Sequence, residues 1–220
     1  MKKIACAIAL SLLLLGCGSS KPVPDWTNAS FNDLDNYKKN YLSGKSGIAE
    51  EYFNRAVDEI KGSGNLDILA KAYLTKYAVH VAVLEPFCGN EYLMIEEVEP
   101  VGENRNFYDF LGGTFERVDE RLLPKQYADF FRTFRDRNDD DFVKGISDMD
   151  NPLSRLIAVG LLVKKNTYDE KILKLAIDTA SQNGWKKALL AYMARLQILY
   201  EKNNSPNKAA VVGEKIRLLK

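Results

Sequence analysis

The apolar residues of this chain return every three or four positions over most of its length, a spacing that fits helix and little else. From Ser46 or Gly47 to Ile60 the repeating face is Ile48, Tyr52, Phe53, Ala56 and Ile60, and Gly62-Ser63-Gly64 breaks it. Asn65 is a capping residue for a second helix, which reaches about Leu84 before Pro86 stops it. The last turns of that helix are apolar on most sides, at Val79, Val81, Ala82, Val83 and Leu84, as expected of a buried central helix. Further on, Asn151-Pro152 combines a cap with proline at the first helical position, ahead of Leu153, Leu156, Ile157, Gly160 and Leu161. Asp169 to Asn183 carries Ile172, Leu173, Ala176, Ile177 and Ala180 on one stripe and ends at Gly184. Trp185 to Asn203 is broadly apolar, and Ser205-Pro206 opens a final helix with Ala209, Val212, Ile216 and Leu219. Starts at 152 and 185, and at 168 and 205, lie about 33 and 37 residues apart, a period that stacked helical hairpins produce. The expected fold is all-α: antiparallel helical hairpins stacked on one another.

Residues 86–124 interrupt this pattern with prolines at 86, 100 and 124 and a run of aromatics. Tyr92-Leu93-Met94-Ile95 reads equally as a short helix or a strand. Phe107, Tyr108, Phe110, Leu111 and Phe115 predict a helix that ends at Gly112-Gly113. Long irregular connections inside helical domains often carry function. Phe107, Tyr108 and Phe110 are therefore the candidate partner-binding residues, set against the plainer reading in which the segment packs over the core.

The amino terminus carries an address. Lys2 and Lys3 precede an apolar run from Ile4 to Leu15, and Leu14-Leu15-Gly16-Cys17 follows. A basic start, a short apolar core and small residues before a processing point are the order of a secretory signal. The run is shorter than the roughly 20 residues a membrane-spanning helix needs. Its ending resembles the lipobox of bacterial lipoproteins. That resemblance implies a diacylglyceryl group on the Cys17 thiol, cleavage before Cys17 and acylation of the new amino terminus. Each buried acyl methylene contributes about 0.8 kcal/mol, so several chains on one residue make a lasting anchor. An Asp after the cysteine commonly retains enterobacterial lipoproteins in the inner membrane; Gly18 stands there and favours the outer membrane. The expected organisation is a signal peptide at 1–16, a lipidated Cys17 with a tether to 25, and one helical domain over 26–220. The protein is expected on the outer membrane, facing the periplasm.

Charge narrows the partners. Lys plus Arg is 31 and Asp plus Glu is 30; removal of Lys2 and Lys3 leaves 29 against 30, a net charge near −1. Nucleic-acid binding needs a basic stripe, and adhesion to anionic lipid needs a cationic patch, so neither is expected. Once Cys6 leaves with the signal and Cys17 is acylated, Cys88 is the remaining thiol, expected as a small buried hydrophobe. No cofactor or metal site is expected. The single histidine, His80, falls on the face of Leu69, Tyr73, Tyr77 and Leu84 and reads as a satisfied core residue hydrogen-bonded to a tyrosine. No phosphate-binding glycine loop and no Gly-x-Ser-x-Gly elbow occurs. Asp136-x-Asn138-x-Asp140 matches the opening of a calcium loop, but Asp141 replaces the turn glycine and Ser147 the closing glutamate.

Ala49, Phe53 and Ala56 resemble the small-x₃-aromatic-x₂-small spacing of tetratricopeptide repeats, helical hairpins of about 34 residues. Gly160 sits mid-helix, where a small residue lets two helices approach, and Ile172 stands where the repeat has alanine. The resemblance implies an α-solenoid with a protein-binding groove. The expected function is non-enzymatic docking or assembly of another envelope protein. Secretion, pilus and flagellar lipoproteins offer an architectural analogy. Two alternatives stand beside it: an immunity or exclusion lipoprotein, or a peptidoglycan-active enzyme using one carboxylate. Glu85, at an apolar helix end where a raised pKa is conceivable, is the residue for that last role.

Overall fold

A computed structural model describes residues 24–136 and 142–220. Cys17 and the lipobox, most of the tether, and residues 137–141 of the acidic loop lie outside the described residues. Among the described residues the regular structure is entirely helical. Helix α1 (Asp25–Leu42) buries Leu34, Tyr37 and Tyr41, and a short turn folds α2 (Ser46–Ser63) back along it. Ala49, Phe53 and Ala56 all face the interior of this hairpin. Asn65 caps α3 (Leu66–Ala82) by accepting the Ile68 amide at 2.9 Å. The ambiguous segment at 92–95 is helical: α4 (Asn90–Val98) packs Tyr92 and Ile95, one turn apart, against α3.

Helix α5 (Gly102–Gly112) ends where the glycine pair predicts. Two buried asparagines fasten it. The Asn104 amide donates to Asp67 on α3 at 2.8 Å, and Asn106 exchanges two hydrogen bonds with the Asp119 backbone. Two short 3₁₀ turns at Phe115–Arg117 and Glu120–Leu122 then lead into α6 (Lys125–Arg135) and α7 (Phe142–Ser147). Phe110 is the hub of this region, with Phe107, Phe115, Tyr127, Phe130 and Phe131 around it at 5.1–6.4 Å between ring centres.

The carboxyl-terminal helices are α8 (Pro152–Lys164), α9 (Glu170–Gln182), α10 (Lys186–Lys202) and α11 (Pro206–Leu219). Asn151 caps α8 as the sequence predicts, the Asp169 side chain caps α9, and the Ser205 side chain makes no capping bond. Neighbours in the chain pack as neighbours in space: α8 on α9, α9 on α10, α10 on α11. The two halves join where α3 crosses α8. Gly160 makes that crossing possible, because a Cβ there would stand 2.3 Å from the Val81 carbonyl oxygen. Helix α10 also returns to α1 and ties the stack back to its first hairpin.

Candidate functional site

The end of α3 is built under constraint. The Leu84 amide donates to the Val81 carbonyl and the Glu85 amide to His80, so the helix closes in a Schellman motif. The same pair of bonds closes α1, α5, α8, α9 and α10, and each of those turns uses Gly or Asn at the left-handed position: Gly44, Gly113, Asn166, Gly184 and Asn204. Here the position belongs to Leu84, at φ +61°. A side chain in that conformation costs about 1–2 kcal/mol relative to the right-handed region. The Leu84 side chain packs against the core and lines a cleft.

That cleft, about 560 Å³, opens between the end of α3, α5, α8 and α10. Val81, Leu84, Phe87 and Val163 give it apolar lining. Phe87 is fixed by stacking on Tyr77, 4.7 Å away and nearly parallel, with the Tyr108 ring edge-on at 6.2 Å. Gly89 is pressed against Tyr108 so closely that a Cβ would meet its hydroxyl at 2.2 Å. Asp109, Thr114, Lys164 and Arg195 give it polar and charged lining. Asp109 is ion-paired with Arg105 at 3.2 Å. Burial lowers the pKa of Lys164, and neighbouring Lys165 adds to the effect.

Glu85 sits at the cleft margin, already engaged. It accepts the Tyr41 hydroxyl at 2.6 Å and pairs with Lys187 of α10 at 2.9 Å. The Lys187 ammonium in turn stands 3.7 Å above the centre of the Tyr41 ring. Burial pushes the carboxyl up, but the Tyr41 bond and the Lys187 charge outweigh it and hold the pKa below its ordinary value. The conceivable raised pKa is thus corrected. An ionised Glu85 lacks the proton a general acid must donate.

His80 lies behind this pair. Its ring stacks on Tyr41 at 5.0 Å, and its Nδ1–H donates to the Pro86 carbonyl at 3.1 Å rather than bonding a tyrosine. Burial pushes its pKa down, so the neutral ring is favoured, and the buried Nε2 has no hydrogen-bond partner among the described residues. Cys88 is exposed, not buried. It lies beyond the end of α3, between partly buried Phe87 and buried Gly89.

The structure separates the three aromatic residues expected to meet a partner. Phe110 is completely buried at the centre of the aromatic cluster, so it packs the core and cannot be offered to a partner. Tyr108 is partly buried and borders the cleft. Phe107 borders a separate cleft of about 500 Å³ with Leu74, Leu122 and Pro124.

A third concavity escapes the sequence reading. Helices α9, α10 and α11 enclose a groove of about 610 Å³. Ile177, Met193, Leu196, Tyr200 and Val212 supply its apolar lining, and Glu170, Lys174, Asp178, Lys208 and Lys215 its charged groups. Val211 at its edge is more than half exposed. The available signal was a valine adjacent to the core stripe of Ala209, Val212 and Ile216.

Among the described residues no group of His, Cys, Asp or Glu side chains is arranged to hold a metal ion, and no helix is long and apolar enough to cross a membrane. Comparison with protein-family models, with curated proteins and with solved structures gives no match to this chain.

Proposed function

We propose that this protein is a lipid-anchored envelope protein, held to the outer membrane through Cys17, that docks another envelope protein from the periplasmic side. The groove between α9 and α11 carries this reading. Its apolar floor and charged rim are the surfaces on which an amphipathic helix seats, with apolar anchors at helical spacing and ion pairs along the edges. Exposed Val211, and Leu218 beyond it, extend apolar surface past the groove. The anchor itself rests on the Leu14-Leu15-Gly16-Cys17 motif. Several acyl chains would hold the domain at the membrane without any contribution from its charge.

The test is site-specific photocross-linking in cells. A photoreactive residue at Val211 should capture one envelope protein, and the same residue at exposed Lys61, at the far end of α2, should not. Val211→Asp should abolish capture at a neighbouring site, Lys208, while leaving the helical spectrum unchanged. Equal capture from Lys61 and Val211, or none from the groove, refutes docking there. Labelled fatty acid should enter the wild-type chain and not Cys17→Ser; label in the variant refutes the anchor.

A further inference from the structure

The cleft at the end of α3 presents charges that its own residues leave unmatched. Two carboxylates line it, and both are committed: Glu85 to Tyr41 and Lys187, Asp109 to Arg105. Two cations line it as well, Lys164 and Arg195, and among the described residues neither forms an ion pair. The only hydrogen bond of the Lys164 ammonium among the described residues is a long one, 3.4 Å to the Leu111 carbonyl, and the ammonium lies 5.3 Å from the centre of the Phe87 ring. Its lowered pKa reports the cost of losing water with no anion in exchange. Leu84, Phe87 and Val163 give the same cleft apolar surface, and Phe87 lies directly beneath the Lys164 ammonium. Leu84 is held there in a backbone conformation that five equivalent turns give to Gly or Asn. A leucine at one of six like positions places an apolar side chain at the cleft that glycine or asparagine would not supply.

We propose that this cleft binds a small organic acid, a single carboxylate on an apolar or aromatic body. Lys164 and Arg195 receive the carboxylate; Leu84, Phe87 and Val163 receive the body. The volume falls within the roughly 300–1,000 Å³ of small-molecule sites. A multiply charged phosphate fits less well, because Leu84, Phe87 and Val163 offer nothing to its remaining charged oxygens. The site is separate from the α9–α11 groove and does not depend on docking there.

Calorimetric titration of the full chain in a non-ionic detergent tests this, with 4-phenylbutyrate, 4-phenylbutylamine and inorganic phosphate as probes. The carboxylate should bind saturably, and the amine and phosphate should not. Lys164→Gln and Arg195→Gln should each weaken 4-phenylbutyrate about tenfold, as loss of a charge-assisted bond predicts. Lys164→Arg, which keeps the charge, should stay within about threefold, and Lys61→Gln, exposed at the far end of α2, should change nothing. Melting temperatures of the variants check that each is folded. Absence of saturable carboxylate binding overturns the proposal. So does equal binding of the amine or of phosphate, or an affinity unmoved by both charge-removing variants in folded protein.

Discussion

Gly160→Ala tests the joint between the two halves of the molecule. In an exposed helix interior this change stabilises by about 1 kcal/mol, because glycine is the poorer helix former. At Gly160 the sign should reverse. The new Cβ would stand 2.3 Å from the Val81 carbonyl oxygen and 3.0 Å from Val81 Cγ1, whereas ordinary contact begins near 3.4 Å. The obstacle is backbone in the last turn of α3, so no rotamer change relieves it; α3 and α8 must separate by about 1 Å. Ala78, Val79, Ala82, Leu156, Ile157 and Leu161 are all buried in these two helices, and separation loosens their packing. Overpacking of this kind costs about 1–3 kcal/mol, and backbone as the obstacle places the net loss near the upper end, about 2–3 kcal/mol. Urea unfolding followed by circular dichroism measures it. Gly62→Ala is the control: nothing lies within 4 Å of its Cβ, and the same substitution should raise stability by about 0.5–1 kcal/mol. If Gly160→Ala is as stable as the parent, the close crossing of α3 and α8 is wrong.

Three further outcomes are expected. Acidification should destabilise: His80, whose folded pKa lies below 6.5, and Glu85, whose folded pKa lies below 4.5, both bind protons more readily in the unfolded chain, so their contributions are present above those values and lost as pH falls through the folded ones. Urea midpoints between pH 7.5 and 4 should fall, with a shallower fall in Glu85→Gln at the acid end; a midpoint that rises on acidification contradicts the placement of both groups. Leu196→Ala should cost about 3 kcal/mol because Leu196 is buried, and half-buried Leu189→Ala clearly less, about 1–2 kcal/mol, by urea titration; equal losses would mean that α10 is rotated from its stated face. Thiol titration of the native protein from envelopes should find one reactive group, exposed Cys88, and the same single group after unfolding; three thiols would show that neither Cys6 nor Cys17 had been processed.

Where a helix carries both a cap and an apolar stripe, the sequence is enough to place it. Asn65 and Asn151 each accept the amides that their position predicts. Gly160 also reads correctly from sequence, since a glycine inside an apolar helix implies a close neighbour. Helix α6 has a signal of its own: Tyr127, Phe130, Phe131 and Phe134 form a three-four stripe, behind the irregular 3₁₀ segment that precedes it. The strand-or-helix ambiguity at 92–95 could not be resolved locally, because packing of Tyr92 and Ile95 on α3 decides it. The candidate sites fared worse for the same reason. Aromatic character alone cannot separate buried Phe110 from partly exposed Tyr108. The direction of the Glu85 shift depends on Tyr41 and Lys187, both remote in the chain. The groove between α9 and α11 exists only once three helices are placed together.

Arrays of helical hairpins commonly fray, since each repeat contacts only its neighbours. Lys187 makes this chain behave otherwise. It reaches from the start of α10 to Glu85 and Tyr41, and its Cβ lies 3.9 Å from the position a Cβ would take at Gly44, between α1 and α2. The last hairpins cannot peel away without breaking a link to the first. Forming that link closes a loop of more than a hundred residues, late and slowly compared with the local hairpins. With that link closed, both ends of the array are expected to melt in one transition, one that the α9–α11 groove and the cleft at α3 would share.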